Sequence, residues 1–297
     1  VEPLGRRNRI LHVPGGRRHF WQGTGCLSIK TFAGGRAFYR TGLGSYAVDD
    51  AVYLVLNEGQ PYSITVESES PVESFCVFVR DGLADEVHRS LREPAARLLD
   101  DPGRPTGPAL RFFERTYPRD RAVSPALARL RAAYLRPHEP GRLDERLREL
   151  VERLLAAHAA ASREADALPA LRASTREELY RRLHRARDYA VACLERPLTL
   201  EELAGVACLS PNHFLRTFKQ LFARTPHQFL TDKRLERACS WLAHGGRPVA
   251  EVAAAAGFES LGSFSWLFRR RVGLAPTEYR RRAQKGDFRE APPRPAG

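Results

Sequence analysis

Two groups of side chains in the C-terminal third have the types and spacing needed to read a nucleic acid. Asn212, Arg216 and Lys219 follow one another at intervals of four and three residues. On a helix turning about 100° per residue they share one stripe, and Phe214, Phe218 and Leu221 share another, roughly opposite. The second group is Leu261, Gly262, Ser263, Ser265, Trp266 and Arg269, wholly or partly outside the stripe of Phe264, Phe268 and Val272, with Arg270 and Arg271 directly after it. Arginine grips guanine through two hydrogen bonds, and short polar side chains let a helix approach the groove. Any single basic helix is more often the solvated face of an ordinary bundle. Two copies with matched breaks favour DNA.

The elements that must hold these groups are marked by local signals. Thr199 with Glu202 three residues later reads as a capping box and starts a helix near Leu200. Ser210-Pro211 starts the next helix, with a hydroxyl cap and a proline whose missing N–H costs nothing there. Thr225-Pro226 opens a longer helix that Gly245-Gly246 stops. Pro248 to Gly273 repeats the first device, with Ser260 as cap and Gly273 as stop, and Ala275-Pro276 begins a short closing helix. Helix, tight turn and second helix, written twice, make two helix-turn-helix units.

From Leu183 to about Arg282 the chain resembles the DNA-binding domain of the AraC/XylS family of bacterial transcription regulators. The matching words are LSPNHFLRTFK, FARTPHQFL, KRLERA, VAAAAGF, FSWLFRR and GLAPTEYRR. The resemblance implies seven helices, with Pro226 to Ala243 holding the two units apart so that they enter successive major-groove segments. It places the base-reading positions on Asn212, Leu215 and Arg216, then on Leu261, Gly262, Ser263, Ser265 and Trp266. Where the family usually has arginine this chain has Trp266. The second unit therefore reads thymine methyls or shape, or mainly grips phosphates through Arg269, Arg270 and Arg271, or Trp266 folds back on the core. The resemblance further implies promoter DNA and RNA polymerase as partners, activation more than repression, a small-molecule effector of unstated identity, and a possible homodimer.

The balance of charge agrees with this reading. Of a formal net charge of +13, residues from Arg176 onward carry +9, from 22 basic and 13 acidic side chains. That is where attraction to phosphate would place it. A basic chain can also favour an anionic membrane, but no apolar run reaches spanning length, and no signal peptide is expected. Cys26, Cys76, Cys193, Cys208 and Cys239 form no close pair and no metal-ligand spacing with histidine, which suits a reducing cytoplasm. No catalytic triad, phosphate-binding glycine loop or His-x-His occurs, so neither an enzyme nor a cofactor or metal site is expected.

Between Gly25 and Val79 the hydrophobic period becomes strand-like: Leu27 to Phe32, Val52 to Leu56, Tyr62 to Val66 and Phe75 to Val79. Short strands with glycine-rich turns suggest a small barrel or sandwich, and VDDAVYLVLNEGQPYSITVES resembles the cupin-like effector barrel common in the family. Trp21, Tyr39, Tyr53 and Tyr62 either line a small-molecule pocket or are plain core. Leu143, Leu147, Leu150, Val151, Leu154 and Leu155 form an amphipathic stripe that packs on the barrel or pairs two copies. Thr175 with Glu178 reads as the cap of the following helix.

The fold class expected is therefore α+β: an N-terminal cupin-like β-barrel with associated helices, and a C-terminal all-α domain with two helix-turn-helix motifs. Residues 1–120 form the sensing domain, 121–175 a helical linker and self-association region, and 176–284 the DNA-binding domain. Its motifs lie at about 200–221 and 248–271, and 285–297 form a disordered tail. The function expected is effector-responsive transcription regulation. The rivals are an architectural DNA binder and a cupin-type enzyme fused to a DNA-binding domain.

Overall fold

The computed structural model describes residues 5–42, 44–94, 110–136, 141–169 and 172–286. Of the tail expected at 285–297, Lys285 ends the last helix and residues 287–297 lie outside them. The described chain divides into two units, Val1–Asp188 and Tyr189–Gly297.

Seven strands, all paired antiparallel, build the first unit: β1 (Arg9–Thr24), β2 (Ser28–Ala33), β3 (Ala37–Thr41), β4 (Ser45–Val48), β5 (Val52–Leu56), β6 (Pro61–Phe78) and β7 (Thr116–Pro118). Their order is β4-β3-β6-β2-β5-β7, with β1 on the other edge of β6. β6 organises the whole. Its first half pairs with β3 and its second half with β2, so one long strand serves two sheet segments and bends the layer into a nearly closed barrel.

Sequence periodicity divides β6 into two strands and overlooks β1, β3, β4 and β7. The polar, proline-containing stretch Glu67 to Pro71 interrupts the apolar alternation of β6, yet β1 follows it along most of its length. Pro14-Gly15-Gly16 breaks the period of β1, where the register shifts between Val13 and Gly16 and again between Gly16 and Arg18. His12 and His19, which precede the start of the strand-like period at Gly25, are therefore strand residues.

Both faces of the central strands are buried. Inside the barrel lie Phe32, Tyr39, Tyr46, Leu54, Leu56, Tyr62, Ile64 and Phe78. On the outer face Leu27, Ile29, Val55, Phe75 and Val77 meet three helices: α1 (Leu83–Ser90), α2 (Ser124–Leu135) and α3 (Arg142–Asp166). The leucine stripe is part of that outer core. Leu147, Leu150, Val151, Leu154 and Leu155 are all buried in the core on the sheet's outer face, whereas Leu143 at the start of the stripe is exposed. Of the two readings left open for it, packing on the barrel is the one the fold takes.

Helix α4 runs from Ala173 to Ala192, so Thr175 lies inside it rather than at its cap, and Glu178 pairs with Arg182 one turn on. Its side chains meet β7 through buried polar groups. Asp188 accepts from the Thr116 amide at 2.9 Å and from its hydroxyl at 2.7 Å, and Arg187 donates to the Thr116 carbonyl at 2.6 Å. Arg115 reaches the Tyr180 hydroxyl at 2.6 Å and His184 Nε2 at 2.9 Å. Burial first, then the guanidinium groups of Arg187 and Arg115, hold the His184 imidazole well below its ordinary range.

The second unit continues with α5 (Leu200–Val206), α6 (Pro211–Phe222), α7 (Pro226–His244), α8 (Val249–Ala255), α9 (Leu261–Val272) and α10 (Pro276–Lys285). Among the described residues no helix is long and apolar enough to cross a membrane.

Candidate nucleic-acid interface

Each copy of the repeated device folds by the same backbone chemistry. At the end of α5 the Leu209 amide donates to the Ala204 carbonyl at 2.9 Å, and Cys208 to Gly205 at 2.9 Å. At the end of α8 Phe258 donates to Ala253 at 3.0 Å and Gly257 to Ala254 at 2.9 Å. These pairs stop a helix with one left-handed residue, a position that favours glycine. Gly257 fills it in the second copy at φ 87°, and Cys208 in the first at φ 52°. The helices that follow start on hydroxyl caps: Ser210 accepts from the His213 amide at 3.4 Å, and Ser260 from the Ser263 amide at 3.1 Å.

The caps expected at Thr199 and Thr225 hold, with one change of detail. Thr199 accepts from the Glu202 amide at 3.1 Å, but the Glu202 carboxylate turns to Tyr189 and Arg196 instead of closing the box. Thr225 and Gln228 make the full reciprocal box at the start of α7.

Aromatic seams fix the orientation of both second helices. Phe214 and Phe218 are buried with ring centroids 5.2 Å apart, and Phe264 and Phe268 with centroids 5.4 Å apart. Phe218 and Phe222 continue to Phe229 of α7. Phe264, Phe268 and Val272 share a core with Leu235, Ala238, Cys239 and Leu242 of α7. Desolvating these rings is worth about 1.5–3 kcal/mol each, enough to leave no choice about which face turns outward.

The opposite faces carry the predicted readers. Asn212, Leu215, Arg216 and Lys219 are exposed on α6. On α9, Leu261, Gly262, Ser263, Trp266, Arg269 and Arg270 are exposed and Ser265 is half-buried. Trp266 is 62% exposed, so it does not fold back on the core. The Arg270 guanidinium lies 5.1 Å from the centroid of its ring. The Ser263 hydroxyl is engaged with Ser260, donating to its carbonyl at 3.1 Å and lying 2.7 Å from its hydroxyl. Arg271, grouped by sequence with its two neighbours, differs from them. It turns to Asp232 of α7, which also accepts from Arg224 at 3.0 Å. Elsewhere in this unit several arginines are paired with acids, as in Arg237 with Glu195 and Arg282 with Glu278.

A helix-turn-helix family model matches residues 203–282, which contain both second helices and the spacer between them. The C-terminal unit is an AraC-type helix-turn-helix domain. Three curated relatives match this AraC-type region. The chain is 38% identical over 92 residues to a probable transcriptional regulator, LumQ, of Photobacterium leiognathi, covering 31% of this chain and 37% of that protein. It is 38% identical over 90 residues to the MmsAB operon regulatory protein of Pseudomonas aeruginosa, covering 30% of this chain and 29% of that one. It is 32% identical over 83 residues to a putative AraC-like transcription regulator of Streptomyces antibioticus, covering 28% and 27%. The matches thus span about a third or less of these relatives, each of them named as a regulator rather than an enzyme.

A second place of chemical interest lies outside the AraC-type domain and was missed in the sequence. Lys30 of β2 is buried inside the barrel, donating to the Tyr62 hydroxyl at 3.0 Å and sitting 3.8 Å from the Phe78 ring centroid. Burial lowers its amine from the ordinary 10.5 to about 8. The signal was available: alternation in Ser28, Lys30 and Phe32 sets the lysine on the face of a buried phenylalanine. The four aromatic pocket candidates separate. Trp21, Tyr39 and Tyr62 belong to this interior, while Tyr53 stacks on Tyr117 at 5.3 Å in the outer core.

Proposed function

We propose that this chain is a sequence-specific DNA-binding transcription regulator whose two second helices, α6 and α9, occupy successive major-groove segments of promoter DNA. One observation carries the reading. Both helices bury a phenylalanine seam and turn polar and basic side chains outward, on a scaffold that repeats the same turn and the same cap. Asn212, Leu215, Arg216 and Lys219 serve one segment, and Leu261, Gly262, Ser263, Ser265, Trp266, Arg269 and Arg270 the other. Leu261 and Trp266 offer little paired hydrogen bonding. Specificity is therefore lopsided, with α6 supplying most of the sequence information and α9 mostly affinity.

Regulation by a small molecule is the second part of the proposal. What supports it is the barrel interior, where Lys30 has no ion pair among the described residues and is flanked by the rings of Tyr62 and Phe78. Activation through RNA polymerase is the mode the family resemblance supports. Selection of bound sequences from a random DNA pool by the full chain tests the core of the reading. The expected outcome is one enriched site with unequal halves, and enrichment of no sequence would refute it. A reporter fused to a recovered promoter then separates activation from repression.

A further inference from the structure

The two reading helices are joined to the spacer helix by apolar contacts at different places. α6 meets the start of α7 through Phe218, Phe222 and Phe229, and α9 meets its later turns through Leu235, Ala238 and Leu242. One polar group serves both. Asp232, in the second turn of α7, is 2% exposed. Its Oδ2 accepts from Arg224, two residues past the end of α6, at 3.0 Å. Its Oδ1 lies 3.8 Å from Arg271 in the last turn of α9. The three side chains, with Ala223 and Gln228, line a cavity of about 370 Å³.

A carboxylate so deeply buried is costly unless it is paired, and removing a partner leaves that cost uncompensated. The group is thus held by Arg224 through a hydrogen bond and by Arg271 through charge alone, and each arginine is attached to the end of a different reading helix. The second copy of the repeat has Leu274 in the place that Arg224 holds in the first. Hence the arrangement is not a by-product of the duplication. A hydrophobic seam fixes which face of each helix is buried, and a shared charge adds one further fixed point on each of them.

We infer that Asp232 is the positioning residue that sets the register between α6 and α9, and with it the spacing of the two DNA segments the protein accepts. This rests on the DNA-binding reading above. One extra base pair between the segments moves the second by about 3.4 Å and turns it by roughly 34°. A rigid joint rejects that change and a loosened one absorbs part of it.

The test is selection by the full chain, wild type and Asp232→Asn, from pools in which the interval between the two recovered segments varies by one and two base pairs. Thermal unfolding checks the fold of each variant. The expected result is that wild type accepts one interval and disfavours its neighbours by about tenfold or more. Asp232→Asn should recover the same base preferences in each segment while accepting neighbouring intervals almost equally. Arg271→Gln, which leaves the Arg224 ion pair in place, should show the same broadening and stands in if Asp232→Asn fails to fold. A purely structural role would weaken binding to all intervals in proportion. That outcome, or a single sharp interval in both variants, overturns the inference. Failure of wild type to enrich any sequence removes the DNA-binding reading itself.

Discussion

The left-handed turn residue gives a stability prediction with unequal outcomes in the two copies. A Cβ built on Gly257 would lie 2.4 Å from the Leu194 carbonyl oxygen and 2.9 Å from Arg234 Nε. That place is already occupied by a hydrogen bond, since Arg234 Nε donates to the Leu194 carbonyl at 3.0 Å. Gly257→Ala therefore adds about 1–2 kcal/mol of left-handed strain to about 1–3 kcal/mol for forcing backbone apart in a packed site. The sum is a loss of roughly 2–5 kcal/mol. Cys208 already tolerates the same conformation at φ 52° and is exposed. Cys208→Gly relieves about 1 kcal/mol of strain and loses a similar amount to the freer unfolded chain, so its net change is within about 1 kcal/mol. Hydrogen exchange resolved by peptide reads the two units separately, which a single melting curve does not. Amides of α8 and α9 should exchange at least about tenfold faster in Gly257→Ala, and those of the barrel should not change. Unaltered protection in α8 and α9 would refute the reasoning.

Arg216→Ala should lose about 1–3 kcal/mol on the preferred site and relax one base position. Equal weakening on every sequence would reassign it to phosphate. Neutralising Arg269 and Arg270 together should weaken binding across all sequences and reduce the salt dependence by about one unit per lost phosphate contact, read from affinity against salt concentration. In the barrel, the fall of the Lys30 amine from 10.5 to about 8 corresponds to roughly 3 kcal/mol of destabilisation below pH 8. Above pH 8 the unfolded chain holds more protons at this site than the folded one, so stability rises with pH up to about 10.5. Lys30→Met should thus stabilise the first unit at pH 7 and lose that advantage by about pH 10, as followed by denaturant unfolding. His184 works in the same sense at lower pH. Its depressed imidazole makes stability fall as pH drops below about 6.5, and His184→Gln should flatten that slope.

The second unit was the more legible in sequence because its signals are local. A cap such as Ser210 or Thr225, a proline after it and a phenylalanine pair four apart each act within one or two turns. What escaped there depends on distant partners. Arg271 looked like its neighbours until Asp232, far away in sequence, took it. The Glu202 carboxylate, expected to close a capping box, was drawn off by Tyr189 and Arg196. The barrel was legible in kind but not in detail. Alternation located β2 and β5, whereas β1 is a strand because it pairs with both halves of β6 across bulges. No periodicity records that. The leucine stripe showed an apolar face without naming what covers it, and only the folded sheet supplies the answer.

The two reading helices are not copies of one another. α6 presents Asn212, Arg216 and Lys219, while α9 presents Leu261, Trp266 and Arg269, and both belong to one chain. A pair of identical subunits is symmetric and recognises a sequence that looks the same from either end. A single chain with unlike halves has no such symmetry, so a site that it recognises has a front and a back. Reversing that site in a promoter would leave its affinity unchanged and exchange the places of α6 and α9 along the DNA. Direction, rather than occupancy alone, then becomes information that a promoter can store.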